Sequence, residues 1–391
     1  MHVCALISHA SPVRVWGLTP TERISRFLDR RGIPTVTGLA EADGASSILL
    51  VRGDHVYDDR LLSALIENPD TAMRAGDAAD ATVVAAHLPA ARAGDGLDGL
   101  SGVAPGELVT STRLALLKSE EPFALLVTDA NRRAIERRLY DSSYKGVTDL
   151  VTKWVWPTPA RWVVGGCVRL GISPNQVTGL GFTLMVVALV LFTRGAYAWG
   201  LLAAWAMTFL DTVDGKLART TLTSSRFGHW LDKLTDIVHP PFWYLAWAHG
   251  LNGAFDSPTP AIHLSATVWT IFAFYLGGRI AEGLASGIIT GGLFVWRPVD
   301  SFLRLITARR NTCLLLLTAC AIGHRPDLGL WLVATWTAAT TVLLVIRLLI
   351  AWAAWRPSKR KLTSWLLDVD AHTPGTTLAA RWFAQRPRTN A

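Results

Sequence analysis

Residues 197–236 read YAWGLLAAWAMTFLDTVDGKLARTTLTSSRFGHWLDKLTD, and they set four aspartates into otherwise membrane-like chain. An ionised aspartate at the centre of a bilayer helix costs roughly 2.5–3.5 kcal/mol even on the lenient insertion scale. Four of them call for a compensating ligand. Asp211, Asp214, Gly215 and Ala218 fall at i, i+3, i+4 and i+7 and share one helical face; Gly228, Asp232 and Asp236 follow in steps of four and share another. The intervening TTLTSSRF is short, so the spacing predicts antiparallel neighbouring helices whose carboxylates meet near one end. Convergent hard oxygen donors without His or Cys suit Mg²⁺, Mn²⁺ or Ca²⁺. Gly215 and Gly228 clear space on the same faces, and Arg219, one turn on, offers a fork of donors matched to phosphate. A polar seam between helices, or an ion path, is the competing reading of intramembrane carboxylates.

The surrounding chain supplies the context. Of its 391 residues half are hydrophobic, with a mean hydropathy of +0.30, which excludes a disordered or fibrous protein. Residues 1–150 carry 16 Lys and Arg against 20 Asp and Glu, and residues 151–391 carry 22 against 10. One tryptophan precedes residue 150 and sixteen follow it. The excess positive charge lies between long apolar runs, which points to a membrane rather than to nucleic acid. Six segments are long enough to span: 177–194, 196–218, 228–250, 262–285, 311–323 with its flanks, and 328–353. Residues 147–173, mixing Trp, Val and Arg, predict an interfacial helix. Lys216, Arg219, Arg226, Arg297, Arg304, Arg309, Arg310, Arg356, Lys359, Arg360 and Lys361 fall on one set of connections, against only Arg194 and Arg325 on the other. That bias, and the lack of a recognisable signal peptide, place both termini in the cytoplasm of a protein of the cell inner membrane. Cys4, Cys167, Cys313 and Cys320 have no disulfide or zinc spacing and read as isolated buried thiols.

DTVDGKLAR, eight residues, then GHWLDKLTD resembles the signature of the CDP-alcohol phosphatidyltransferase family, with all eight fixed positions present. The resemblance extends over about residues 140–355, including the ISPNQVT entry to the first span. It implies a six-helix membrane enzyme, forming homodimers, that moves a phospho-alcohol group from a CDP-alcohol to a lipid or polyol acceptor and releases CMP. By position, Asp211, Asp214, Asp232 and Asp236 are then ligands of Mg²⁺ or Mn²⁺, as a pair of ions, and Asp236 is also the general base. Gly215, Ala218, Arg219 and Gly228 become the wall of the CDP site, with Ser225 near the phosphates. A metal-dependent transporter with a cytoplasmic regulatory domain is the alternative, against which stands the lack of an internal repeat.

The first part alternates β-type runs (3–8, 46–53, 81–88, 123–129) with helix-like stretches, predicting an α/β, Rossmann-like domain with a mainly parallel sheet. Its pieces LTPTERISRFLDRRG and VRGDHVYDDRLLSAL resemble a sugar-phosphate nucleotidyltransferase or cytidylyltransferase. The stretch that would be the phosphate-gripping loop, SHASPVRVWG, has one glycine, so the domain reads as degenerate and inactive. The expected organisation is a nucleotidyltransferase-like domain over 1–140, a linker and interfacial helix over 141–174, the six-span domain over 175–355, and a basic tail over 356–391. Arg279 and Glu282 are expected to pair with each other. Arg304, Arg309 and Arg310 read equally as an acceptor-phosphate or headgroup site and as a solvated loop.

Overall fold

The computed structural model describes residues 3–42, 44–78, 81–223, 226–254, 264–369 and 377–383, with 226–236 and 252–254 as helix backbone only. The chain opens with β1 (Val3–Ser8), α1 (Pro20–Asp29), β2 (Thr35–Val36), β3 (Ser47–Arg52), β4 (His55–Tyr57), α2 (Asp59–Glu67), β5 (Thr71–Arg74) and β6 (Val83–Pro89). A five-stranded sheet runs β2-β1-β3-β6-β5. β1 pairs parallel with β2 and β3 (Ala5 opposite Leu49), whereas β6 runs antiparallel to both β3 (Leu49 opposite His87) and β5. The sheet is therefore mixed, not mainly parallel. A strand reached by a direct return from β5 must run antiparallel to it, because no crossover helix intervenes.

After α3 (Pro105–Leu108) and the small pair β7 (Thr112–Arg113) and β8 (Lys118–Ser119), β9 (Ala124–Leu126) pairs with β4 in a separate two-stranded sheet. The fourth anticipated strand is thus present, shorter, and outside the main sheet. α4 (Arg132–Ser142) ends the layered part. Leu49, Val51, Val84 and Ala85 pack with Leu28, Leu61 and Leu65 from α1 and α2.

From residue 147 onward the described chain is helical apart from its connections. A π-turn at Val151–Val155 leads into α5 (Pro157–Leu170), which stops at Gly171, whose φ of 69° is the left-handed conformation that suits glycine. Ser173 then caps α6 (Pro174–Thr193) in a capping box with Gln176. α7 (Tyr197–Thr220), α8 (Arg226–Ala254), α9 (Leu264–Ile288), α10 (Pro298–Ile306), α11 (Arg310–Ile322) and α12 (Pro326–Trp355) follow. Among the described residues α6, α9 and α12 are long and apolar enough to cross a membrane, and α10 with α11, bent by 43°, makes a fourth if the pair is one span. The fifth expected segment, 311–323, is matched by α11, and the break falls in its flank, between Ile306 and Arg310. α13 (Leu378–Phe383) returns to pack Phe383 against Val147, Val295 and Trp365.

Small residues bring the helices together. Ala188 on α6 and Ala203 and Ala204 on α7 share one cluster with Trp243 and Trp247 of α8. Indole N–H groups tie neighbours across it: Trp243 to the Met185 carbonyl at 3.0 Å, Trp247 to the Pro326 carbonyl at 2.9 Å, and Trp205 to the Thr318 hydroxyl at 3.0 Å.

The layered part is bound to this bundle at the end of α7. Arg23 and Arg26 on α1 donate to the carbonyls of Thr220 and Thr221 at 2.6 and 2.8 Å. Those are last-turn carbonyls that the helix itself leaves without partners, at the negative end of its dipole. Burial pulls the Arg23 guanidinium down to about 10. Lys216 is not the loop cation that the charge bias assumed: it is buried within α7, donates to the Ser143 carbonyl at 2.9 Å and lies 3.0 Å from the Tyr144 ring centre.

Candidate active site

The expected face of α7 is present. Asp211, Asp214, Gly215 and Ala218 are all half-buried on it, and Arg219 is exposed. Thr178, in the first turn of α6, donates its hydroxyl to Asp214 Oδ2 at 2.7 Å, so the ISPNQVT segment reaches the site directly. Arg310, the first residue of α11, pairs with Asp211 Oδ2 at 2.5 Å. A Cβ on Gly215 would stand 3.1 Å from Arg219 Nη2, so the missing side chain faces the guanidinium. Asp232, Asp236 and Gly228 lie on α8 where only the backbone is described, and Ser225 lies outside the described residues.

Donors on this face are oxygens throughout, which fits a hard divalent cation. Among the described residues no three His, Cys, Asp or Glu side chains form a group able to hold a metal ion. Asp211 and Asp214 are the described half of the expected set.

Beside the aspartates lies a cluster of arginines. Glu282 on α9 accepts from Arg279 at 2.8 Å, the expected i, i+3 pair, and it also pairs with Arg309. Arg309 and Arg310 are therefore not a solvated loop. One cation braces Glu282 and its neighbour braces Asp211. Arg304 sits within α10, 5.5 Å from the Phe294 ring centre, with Nη1 buried and lacking a hydrogen-bond partner among the described residues. Arg309 Nε is left in the same condition. A buried guanidinium donor without an acceptor is costly, and two such donors close together suit an anionic ligand.

Asp149 adds a carboxylate that interacts with Arg304, and the sequence reading does not include it. Its Oδ1 accepts from Thr152 N and Asn311 Nδ2, both at 3.0 Å. Burial alone would raise this carboxyl, but Arg304 and the two hydrogen bonds outweigh it and hold it below the usual carboxylate range. Arg347, alone in the apolar run of α12, was also passed over. It forms a bidentate pair with fully buried Asp300 at 2.6 and 2.9 Å, fixing α10 against α12. A lone arginine deep in an apolar segment, with an aspartate in the preceding WRPVDSF, was the available signal.

A helical membrane domain that sets paired carboxylates beside clustered arginines at its helix ends handles phosphate-bearing substrates. The chain belongs to the CDP-alcohol phosphatidyltransferase family, whose model matches residues 171–277. It is 30% identical over 203 residues to the phosphatidylinositol phosphate synthase of Mycobacterium tuberculosis, covering 49% of this chain and 85% of that protein. The Corynebacterium glutamicum enzyme of the same name is 27% identical over 176 residues, 45% of this chain and 77% of its own. With the Streptomyces avermitilis enzyme the identity is 40% over 72 residues, which spans 18% of this chain and 30% of that one. A crystal structure of the Mycobacterium tuberculosis synthase with CDP-DAG bound aligns over 49% of this chain and 93% of its own, at 24% identity and a TM-score of 0.36; another holds manganese and citrate. The protein is thus a membrane enzyme of lipid biosynthesis, transferring a phospho-alcohol group from a CDP-alcohol, and the transporter alternative finds no support.

Proposed function

We propose that this enzyme makes a phosphorylated polyol lipid, with CDP-diacylglycerol as donor and an inositol phosphate or similar polyol phosphate as acceptor. The observation that carries the proposal is the buried Arg304 Nη1, without an acceptor among the described residues, close to Arg309, whose neighbour Arg310 pairs with Asp211. A neutral polyol would leave those donors unpaired, whereas a phosphate on the acceptor fills them. The names of the relatives agree with an acceptor of this class.

In this reading Asp211, Asp214, Asp232 and Asp236 hold one or two Mg²⁺ or Mn²⁺ ions. The metal supplies charge neutralisation for the pyrophosphate and the departing CMP. Gly215, Ala218 and Gly228 admit the nucleotide, and Arg219 and Ser225 reach its phosphates. Arg304, Arg309 and Arg310 hold the acceptor phosphate so that its hydroxyl faces the donor's lipid-linked phosphorus. Asp236 takes the hydroxyl proton while the new P–O bond forms and the bond to CMP breaks. Six helices, α6 to α9, α11 and α12, cross the cell inner membrane with both termini in the cytoplasm, and the enzyme acts as a homodimer.

The layered part over 1–140 serves as a non-catalytic nucleotidyltransferase-like domain. Asp54, the acid that would hold its metal, is engaged by Arg52 at 2.7 Å and by His55 at 2.6 Å.

The test is CMP release by purified enzyme from CDP-diacylglycerol with Mg²⁺, given inositol phosphate, inositol or glycerol phosphate in turn. Inositol phosphate should be used at least tenfold better than inositol, and Arg304→Gln should remove that preference. Equal use of inositol would refute the phosphate pocket.

A further inference from the structure

One described cavity lies away from the aspartates, between the layered part and the first membrane-proximal helices. It encloses about 720 Å³ between α4 and α5. Arg132, Arg133 and Arg137 on α4 face Arg161 and Arg169 on α5 across it, and Arg14 closes one end. Arg14 is drawn to Glu22 at 3.6 Å and Arg132 to Glu136 at 3.3 Å. The other four make no ion pair or hydrogen bond among the described residues, so four uncompensated guanidinium groups point into one cleft.

Its floor is built rather than incidental. Trp16 and Gly17 both adopt left-handed backbone, with φ of 51° and 78°. Trp16 is held there by its indole, which donates to the Glu136 carbonyl at 2.8 Å, and by its backbone N–H, which donates to Glu136 Oε1 at 3.3 Å. A Cβ on Gly17 would come within 3.0 Å of Val168 on α5, so glycine permits the close approach of loop and helix.

α5 carries two stripes side by side. Arg161, Gly165 and Arg169, spaced by four, line the cleft. The next stripe holds Trp162, which also borders the cleft, Gly166 and Leu170, with Trp162 69% and Leu170 77% exposed. Four residues later α6, an apolar helix long enough to span, begins at Pro174. The mouth of the cleft therefore lies close to the start of an apolar helix long enough to span, beside an exposed apolar stripe that acyl chains would cover.

We propose that this cleft binds the phosphate headgroup of an anionic phospholipid, with its acyl chains lying along Trp162 and Leu170. The site is separate from the substrate pocket and ties the layered part to the bilayer. Charge complementarity selects the headgroup, and continuity with the exposed stripe selects a lipid over a soluble phosphate.

The test uses the full chain in detergent, titrated with phosphatidylglycerol or phosphatidylcholine and read by native mass spectrometry and thermal melting. The parent should bind phosphatidylglycerol at least tenfold more tightly than phosphatidylcholine. Arg161→Gln with Arg169→Gln should weaken the phosphatidylglycerol interaction about 25-fold, about fivefold per arginine near the surface, and leave phosphatidylcholine unchanged. Arg133→Gln with Arg137→Gln, on the opposite wall, repeats the measurement if the first pair folds poorly. Parent-like phosphatidylglycerol binding in a folded double variant would overturn the proposal. So would displacement of the lipid by millimolar inorganic phosphate or glycerol 3-phosphate, which would make the occupant a soluble phosphate.

Discussion

Gly215→Ala separates the nucleotide pocket from the fold around it. The added methyl would stand 3.1 Å from Arg219 Nη2, with Nη1 and Cζ at 3.5 and 3.6 Å. Only the first contact is tighter than ordinary packing, by about 0.3 Å, and the atom it meets is the far end of an exposed, flexible side chain. The guanidinium must give by a few tenths of an ångström. Replacing a mid-helix glycine by alanine, meanwhile, favours the helix by up to about 1 kcal/mol. In a protein of this size that raises the ligand-free melting temperature by at most about 2–4 °C. Binding should move the opposite way. A fork of donors aimed at a phosphate loses its bidentate geometry when displaced by tenths of an ångström, and a full 1 Å error can cost about a hundredfold. We expect KM for the CDP-alcohol to rise about tenfold, with kcat falling less. The assay is CMP release across donor concentration, together with melting in detergent with and without CDP and Mg²⁺. A variant with parent-like KM and an undiminished CDP-induced shift would show that Gly215 serves helix packing and that Arg219 does not touch the nucleotide.

Asp236→Asn should lower turnover by about 10²–10⁴-fold while nucleotide binding persists, and near-parent turnover would remove Asp236 from the chemistry. Arg23→Ala withdraws a buried charged donor from the Thr220 carbonyl at a cost of about 1–3 kcal/mol, so melting temperature and turnover should fall together; a variant that lowers neither would show that the cap on α7 is incidental. In the layered part, burial would raise the Asp54 carboxyl, but Arg52 and His55 outweigh it and hold it at about 2, below its unfolded value near 3.9. Its stabilising effect is complete above pH 4 and disappears as pH falls through about 2. Asp54→Asn should therefore melt lower than the parent at pH 7 with the gap closing toward pH 2, and a gap that is constant with pH would refute the linkage.

The membrane site was legible where chemistry conflicted with its surroundings. Aspartates at helical spacing inside apolar chain have few explanations, and Asp211 and Asp214 do share a half-buried face. Arg279 and Glu282 were readable for the same reason, because i, i+3 opposite charges in an apolar helix find each other first. Long-range partners were not readable. Nothing local says that Arg310 meets Asp211, 99 positions away, or that Arg309 adds itself to Glu282, since those contacts depend on how α7, α9 and α11 cross. Charge counting failed at Lys216 for a related reason. A cation near a helix end looks solvated in sequence, while here a carbonyl 73 residues upstream and the neighbouring tyrosine ring receive it inside the protein. The mixed sheet was hidden because a buried apolar strand looks the same in either direction; only the lack of a helix between β5 and β6 marks the reversal.

These long-range contacts converge on α7. Arg23 and Arg26 cap its last carbonyls, Lys216 anchors one side to the chain after α4, Thr178 holds Asp214 from α6, and Arg310 holds Asp211 from α11. The helix that bears the signature is thus restrained from the layered part as well as from the bundle. Such a helix gains precision from a rigid support, because carboxylates that must meet a cation and a phosphate at fixed distances tolerate little drift. A layered domain without nucleotidyl transfer would still contribute to catalysis through Arg23 and Arg26 alone. Its retention then needs no second chemical activity: the membrane enzyme would depend on it for the placement of Asp211 and Asp214, and a fold whose Asp54 is bound up by Arg52 and His55 can fulfil that role undiminished.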